Sequence, residues 1–109
     1  MRPLSLTIAA MAVAAVTASS PLWAQGDPDA GRQKTAMCAG CHGIPGFRTA
    51  YPEVYSVPRI GGQNETYLVN ALKAYKSGDR KHPSMIAIAG SLSEKDMADL
   101  AAYYGRGGK

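Results

Sequence analysis

The sequence contains few aromatic side chains and only two cysteines. Phe, Trp and Tyr together make up 7% of its 109 residues. No segment alternates apolar and polar residues as a β-strand does, and there is no internal repeat. A chain of this length forms one small domain, and small domains usually complete their core with a disulfide, a metal or a cofactor. We therefore expect the interior to need a bulky apolar group that the chain itself does not supply.

The charge of the chain gives little guidance to its partners. Its 12 Lys and Arg residues against 8 Asp and Glu residues give a formal net charge of +4 at pH 7. The basic residues are not interleaved with aromatic residues in the manner of a surface that follows nucleic acid. We therefore expect no nucleic-acid partner.

Residues 1–24 have the layout of a secretory signal peptide, with a positive start, a short apolar run and small residues before a polar segment. Cleavage after Ala24 fits this layout best, and cleavage after Ala18 is the alternative. The apolar run is too short and too rich in alanine to span a bilayer comfortably, which argues against an uncleaved membrane anchor. We expect residues 25–109 to form one domain that is exported to the periplasm and has no membrane span.

Three segments have the pattern of amphipathic helices. The first is expected to run from Asp27, an N-cap followed by proline, to about Ala39. The second begins near Asn64 and ends at Gly78, and its apolar residues recur at helical spacing along one face. The third begins at Ser93 with a variant of the capping box. The sequence therefore predicts an all-α domain with three main helices.

The connecting segments lack this periodicity. The stretch between His42 and Gln63 is rich in glycine and proline, and residues 78–92 form a second irregular stretch. Residues 105–109 are expected to be a frayed tail. A long loop is unusual in a compact domain unless something orders it, so the first stretch favours a group bound beneath it.

The strongest functional signal is the pentapeptide Cys38-Ala39-Gly40-Cys41-His42. C-x-x-C-H is a signature of covalent haem attachment. In such a site the two thiols reach the two vinyl groups at one edge of the porphyrin, and the histidine offers its imidazole to the iron. Because this motif uses both cysteines of the chain, the sequence predicts one covalently bound haem c whose iron is ligated by His42.

Three other uses of a cysteine pair fit the sequence less well. A thioredoxin-like site would follow a strand, and no strand is predicted here. A disulfide between residues three apart closes a very short loop and stabilises little. A structural zinc site needs four ligands. Those available in residues 25–109 are Cys38, Cys41, His42 and His82.

The second axial ligand must approach the iron from the face opposite the histidine. We expect Met85 to supply it, because it lies in an irregular segment and small residues follow it. Met37 adjoins the attachment motif and cannot reach the opposite face, and Met97 lies on the inner stripe of the third helix. His82 is the alternative ligand, and two imidazoles would give a lower reduction potential than His/Met ligation.

These residues resemble those of the class I c-type cytochromes, in particular bacterial cytochrome c553 and a single domain of cytochrome c4. The resemblance covers nearly all of residues 25–109. The segments that carry it are, in order, Ala30-Gly31-Arg32, Cys38 to Gly43, Pro58 to Gln63, Glu65 to Leu68, Tyr75 to Arg80, Met85, Leu92-Ser93 and Asp99 to Tyr104.

The resemblance implies a cytochrome c fold, in which three main helices and long loops surround one haem. It also implies that the carbonyl of Pro58 accepts the Nδ1 proton of His42 and so orients the imidazole. Gln63 and Tyr67 would line the haem pocket, and Arg80 would meet a haem propionate.

The function implied by the resemblance is that of a soluble periplasmic electron carrier, for example in a respiratory chain, and not that of an enzyme. A His/Met-ligated haem would cycle between Fe(III) and Fe(II) and exchange electrons with redox partner proteins that the sequence does not name. A monomer is expected. Two alternatives remain open: an electron-transfer subunit of a larger oxidoreductase, and a haem enzyme or sensor with a labile sixth ligand.

Some features depart from the family pattern or leave their role open. Cytochrome c4 carries two haem domains and this chain has one, so dihaem behaviour would require two chains to pair. Residues 47–56 are longer and more aromatic than the family pattern, and could cover the propionate edge or dock a partner. A basic cluster could steer an acidic partner or be a solvated helix face. Its members are Lys73, Lys76, Arg80 and Lys81.

Overall fold

The computed structural model describes residues 26–51 and 53–108, and the proposed signal peptide lies outside these ranges. Five helices occur within them: α1 (Pro28–Gln33), α2 (Ala36–His42), α3 (Glu65–Ser77), α4 (Pro83–Gly90) and α5 (Glu94–Gly105). The same ranges contain no strand, only an isolated bridge between Arg48 and Ser56. The predicted all-α class is therefore confirmed. None of these helices is long and apolar enough to cross a membrane.

The first predicted helix is divided by a turn at Lys34 and Thr35, so the prediction of one continuous helix to Ala39 is wrong. α1 begins as expected, with the side chain of Asp27 capping its first turn. It ends where the Lys34 N–H bonds to the carbonyl of Gly31, three residues back, which tightens the last turn. The cysteine motif therefore has a short helix of its own, α2.

The predicted starts of the second and third helices are confirmed. At the start of α3, Asn64 Oδ1 accepts a hydrogen bond from the Tyr67 N–H at 3.0 Å. α3 ends at Gly78, whose φ of 86° suits a residue without a side chain. At the start of α5, Ser93 and Asp96 exchange two bonds between side chain and backbone, each 3.0 Å long. Local capping chemistry therefore sets where both helices begin.

Residues 83–90 form α4, so the prediction that residues 78–92 are irregular is wrong for most of that segment. His82 is the N-cap, and its Nδ1 accepts from the Met85 N–H at 3.4 Å. Pro83 occupies the first helical position, where a missing N–H costs no hydrogen bond. Histidine is not among the preferred N-cap residues, so Pro83 was the one start signal that the sequence offered for α4. Met85 therefore lies in the first turn of a helix.

The core lies where α5 packs against α1 and α3. Its buried members are Leu68, Leu92, Met97, Leu100, Ala101 and Tyr104. α1 approaches α5 so closely that a Cβ on Gly31 would collide with the carbonyl of Asp99. Met97 is 1% exposed, in agreement with its predicted place on the inner stripe of the third helix.

A buried carboxylate links the start of α1 to α5. Asp99 is 1% exposed and accepts a hydrogen bond from the Asp27 N–H at 2.8 Å. Lys34 Nζ and Lys95 Nζ donate to its other oxygen at 2.7 and 2.8 Å. Burial would raise the pKa of Asp99, but the two ammonium groups and the backbone N–H lower that pKa to about 2. The carboxylate is therefore ionised, and it holds Lys34, the residue that follows the last residue of α1.

The end of the chain is more ordered than the predicted frayed tail, residues 105–109. α5 continues through Gly105. The N–H groups of Gly107 and Gly108 then bond back to carbonyls of the last turn of α5, at 3.1 and 3.0 Å. The prediction is therefore wrong for residues 105–108, because the carbonyls at the end of the helix find partners there.

Candidate haem site

An open and mainly apolar cavity of about 440 Å³ lies beside the core. Cavities of roughly 300–1,000 Å³ are typical of cofactor sites. This one is bordered by α2, α3, α4, α5 and the loop before α3. The residues predicted to bind haem all line it: Cys38, Cys41, His42, Pro58, Gln63, Tyr67, Arg80 and Met85. The fold therefore brings together side chains that are widely separated in the sequence.

The helix α2 presents both cysteines to the cavity. Cys38 and Cys41 are about one turn apart, so they share one face of the helix, and both are partly buried free thiols. Burial raises the pKa of the Cys38 thiol, although the Tyr104 hydroxyl acts in the opposite direction. Two sulfurs on one helical face are suitably placed to bond two substituents at the same edge of a planar ligand.

His42 ends α2, and the loop that follows orients its ring. Its Nδ1 lies 2.6 Å from the carbonyl oxygen of Pro58, the contact that the family resemblance implies. A carbonyl oxygen can only accept a hydrogen bond, so Nδ1 carries the proton and the lone pair on Nε2 is left for a metal. Such a partner on the far nitrogen fixes both the tautomer and the ring orientation of a metal ligand.

Met85 and the alternative ligand His82 both border the cavity at the N-terminus of α4. The His82 ring is engaged in two other contacts, since its Nδ1 caps α4 and its centroid lies 4.4 Å from that of Tyr55. Met37 also borders the cavity, but it lies on α2, the helix that ends at His42. This arrangement favours Met85 as the side chain that faces His42 across the cavity.

Gln63, Tyr67 and Arg80 also line the cavity, and the polar groups of Gln63 and Arg80 make contacts within the chain. Gln63 Oε1 accepts from the Asn64 N–H at 2.9 Å. The guanidinium carbon of Arg80 lies 4.6 Å from the centre of the Tyr75 ring, a cation–π contact. Tyr67 is 51% exposed on α3. The contact with Tyr75 holds Arg80 at the cavity wall, where a carboxylate of a bound ligand could reach it.

Three tyrosines that were not predicted as site residues also line the cavity, namely Tyr55, Tyr75 and Tyr104. Tyr104 is 4% exposed, and its hydroxyl has no hydrogen-bond partner among the residues that the structure describes. Burial and the neighbouring Cys38 raise the pKa of Tyr104. Helical periodicity could place Tyr104 only in the core. Tyr55 lies outside any periodic segment, and the unusual aromatic content around it was the only signal.

Residues 47–51 and 53–57, here called the hairpin segment, lie beside the cavity, and hydrogen bonds join the first part of the segment to the second. The Thr49 N–H bonds to the Tyr55 carbonyl at 3.0 Å, and the Val57 N–H bonds to the Phe47 carbonyl at 2.9 Å. Thr49, Tyr55 and Val57 also line the cavity. Of the two roles that the sequence left open for this region, these contacts favour a cover over the cavity.

The predicted basic cluster is partly engaged in contacts within the chain. Lys76 Nζ donates to the Leu92 carbonyl at 2.5 Å, and Lys73 Nζ lies 3.8 Å from a carboxylate oxygen of Glu94. Both contacts join α3 to the region where α4 meets α5. They favour a structural role for Lys73 and Lys76 over the steering of a partner, whereas Lys81 is exposed.

The cavity and its donor groups fit a haem attached through two cysteines. They combine two sulfurs on one helical face, an imidazole with a protonated Nδ1, a thioether on another helix and mainly apolar walls. The zinc alternative finds no support, because residues 26–51 and 53–108 contain no group of three or more His, Cys, Asp or Glu side chains that could hold a metal ion. The thioredoxin alternative also fails, because no strand precedes α2 in those ranges.

Known proteins resemble this chain in both sequence and fold. Cytochrome c-554(548) of Halomonas halodenitrificans is 43% identical over 82 residues, which cover 72% of this chain and 94% of that protein. Cytochrome c4 of Pseudomonas aeruginosa is 38% identical over 81 residues, which cover 74% of this chain but only 38% of that protein. The crystal structure of reduced recombinant cytochrome c4 from Pseudomonas stutzeri matches with a TM-score of 0.56 and 25% identity, over 79% of this chain and 52% of that one.

These matches point to one protein family. The chain spans almost the full length of the first relative and about two fifths of the second. The model of the cytochrome c family matches residues 29–104, which include the whole donor set described above. The chain therefore belongs to the cytochrome c family, whose members bind haem c covalently.

Proposed function

We propose that this chain is an exported electron carrier in which Cys38 and Cys41 would bond one haem c covalently and His42 and Met85 would ligate its iron. The observation that carries the proposal is that these four side chains line one mainly apolar cavity, three of them from α2 and Met85 from α4. When bound, the haem supplies one-electron cycling between Fe(III) and Fe(II). The protein supplies ligands, orientation and a dry environment.

His42 contributes a ligand whose orientation is set in advance. Its bond to the Pro58 carbonyl keeps Nδ1 protonated and fixes the orientation of the ring. A ligand held in this way needs little rearrangement when the iron changes its oxidation state. Fast electron exchange with a partner follows from that rigidity.

Met85 and the apolar cavity walls would both raise the reduction potential of the bound haem. A thioether is a weak ligand that favours Fe(II), and apolar burial disfavours the extra charge of the oxidised state, so both raise the potential. Arg80 is held at the wall by Tyr75, where its guanidinium can pair with a propionate. Gln63 and Tyr67 line the pocket at the start of α3.

The cellular location of this carrier is inferred from the sequence. The layout of residues 1–24 supports removal of a signal peptide on export. Residues 25–109 would then act in the periplasm as a monomer that exchanges electrons with donor and acceptor proteins. A chain that purifies only in a complex with an oxidoreductase would indicate the alternative role of an electron-transfer subunit.

The visible spectrum of the holoprotein tests the proposed ligands. With Met85 bound, the ferric protein should show the weak far-red band of sulfur-ligated haem, and the reduced protein should bind carbon monoxide only slowly, because the gas must first displace Met85. Met85→Ala should abolish the band, lower the potential and make carbon monoxide bind to the reduced protein far faster than it binds to the parent.

Two variants serve as controls for Met85→Ala. Met97→Leu alters a core residue and Met37→Leu alters the rim of the cavity, so both should keep the parent spectrum. A parent protein that binds carbon monoxide readily would contradict the carrier and favour a haem enzyme or sensor. Loss of six-coordination in His82→Ala but not in Met85→Ala would identify His82 as the ligand.

A further inference from the structure

The hairpin segment supplies none of the proposed ligands, yet several hydrogen bonds define its conformation. Thr49 Oγ1 accepts from the Tyr55 N–H and donates to the Glu53 carbonyl, both at 2.9 Å. The Tyr55 hydroxyl donates to the Glu53 carboxylate at 2.9 Å. Together with the backbone bonds at its base, these contacts hold the Tyr55 ring in one orientation beside the cavity.

In that orientation, Tyr55 contacts the part of the cavity wall formed by the start of α4. Its ring packs against His82 with a centroid separation of 4.4 Å and an angle of 53° between the ring planes. Tilted aromatic pairs at such separations attract one another beyond the effect of burial alone. Because the two residues are far apart in the chain, this contact joins the hairpin segment to α4.

The His82 ring connects this contact to Met85. The imidazole that packs on Tyr55 also accepts the Met85 N–H through Nδ1, at 3.4 Å. Met85 lies in the first turn of α4, where backbone N–H groups have no partner within the helix. A His82 ring that moved away from Tyr55 would therefore loosen the turn that carries Met85.

We propose that Tyr55 is a positioning residue which, through His82, keeps Met85 on the iron and so excludes small competing ligands. This inference rests on the proposed function, since it requires Met85 to be an axial ligand. It gives the hairpin segment a specific task, namely to reduce the frequency with which the weaker of the two axial ligands dissociates.

The test compares Tyr55→Ala with Tyr55→Phe in the holoprotein. Tyr55→Ala removes the ring contact, so the rate of carbon monoxide binding to the reduced protein should rise roughly three- to tenfold, as expected for the loss of one aromatic pair. The reduction potential should fall as well. Tyr55→Phe keeps the ring and should restore most of the parent behaviour. Tyr51→Ala is the matched control, because Tyr51 lies in the same segment and is 90% exposed.

The role of His82 is tested with a double variant. His82→Ala should change the rate of carbon monoxide binding about as much as Tyr55→Ala does. Combining the two substitutions should add little, since each removes the contact between Tyr55 and His82. Fully additive effects would overturn the inference. Should Tyr55→Ala give no holoprotein, Tyr55→Leu carries the same expectations, because it fills the space without an aromatic ring.

The outcomes separate this inference from the proposed function. Parent-like carbon monoxide binding and potential in Tyr55→Ala, with the far-red band intact, would overturn the positioning role and leave the carrier in place. A parent protein that lacks the band, or binds carbon monoxide readily, would overturn Met85 ligation and the positioning role together.

Discussion

At the scale of single residues, Asp99 illustrates how a buried charge is accommodated in a small domain. Its carboxylate is ionised because Lys34, Lys95 and the Asp27 N–H outweigh the cost of burial, and its folded pKa is about 2 against an ordinary value of 3.8. A group whose pKa is lowered by folding stabilises the folded state above its unfolded pKa. That stabilisation is lost as the pH falls through the folded pKa, here between about pH 4 and pH 2.

Replacing Asp99 with Asn should therefore lower the free energy of unfolding by about 2 kcal/mol at neutral pH. The variant should also show a flatter dependence of stability on pH between about 4 and 2, because the titrating group is gone. Urea denaturation of the holoprotein at several pH values measures both effects. Asp29→Asn, at an exposed position in the first turn of α1, is the control. Equal pH dependence in the two variants would refute the assignment.

At the scale of helices, the crossing of α1 and α5 depends on a residue without a side chain. Gly31→Ala would drive a Cβ into the backbone of α5, so we expect a loss of about 1–3 kcal/mol in the free energy of unfolding. Gly90→Ala is the control, because nothing lies within 4 Å of a Cβ at the end of α4. That variant should be neutral or more stable by up to about 1 kcal/mol. Thermal unfolding of the two variant holoproteins, compared with that of the parent, measures both effects.

The side chain of Lys76 joins α3 to the chain that enters α5, and this contact can be separated from any role in partner binding. Lys76→Met removes the bond to the Leu92 carbonyl and should cost about 1 kcal/mol of stability. Lys81→Met alters an exposed lysine and should change stability by less than about 0.5 kcal/mol. Chemical denaturation measures the free energy of unfolding of both variants. Equal stability of the two variants would show that the Lys76 bond contributes nothing.

The helices that the sequence predicted well are those with a local start signal. Asn64 and Ser93 carry such signals, and α3 and α5 begin beside them. α4 was missed because its cap is a histidine, and the break after α1 was missed because Lys34 is held by a residue distant in the chain. Patterns within a short stretch of sequence do not indicate contacts between residues that are distant in the chain.

The same distinction applies to the candidate site. The spacing of the cysteines and His42 is a local pattern, so these residues could be identified directly. Pro58 and Arg80 followed only from the family resemblance. The contact between Tyr55 and His82 joins two aperiodic segments, and only the folded chain brings them together.

At the scale of the whole molecule, the cavity is large for so small a core. Without haem, this open cavity of about 440 Å³ would leave its mainly apolar walls exposed to water, and a domain of this size has little stability to offset that loss of burial. The haem therefore has to serve as part of the core. Folding and covalent attachment of the haem should be inseparable in this chain.

Replacing Cys38 and Cys41 together with Ala should therefore prevent stable folding. The parent holoprotein should retain its haem through denaturing gel electrophoresis and acid extraction, and the double variant should retain none. Circular dichroism should show little helix in the double variant. A haem-free variant with native helix content and cooperative unfolding would contradict this view of the core. Met37→Leu, at the rim of the cavity, is the control and should keep both haem and fold.

The hairpin segment is closed at its base, so its length can change without disturbing the residues on either side. A hydrogen bond between Phe47 and Val57 joins its arms, and the contact of His42 with Pro58 lies immediately beyond. Since the entropy of closing a loop rises only slowly with its length, residues inserted beside Tyr51 should cost little stability. The segment is thus a natural grafting point. A binding peptide displayed there would lie beside the haem pocket, so that capture of its target could be read out as an electrical current.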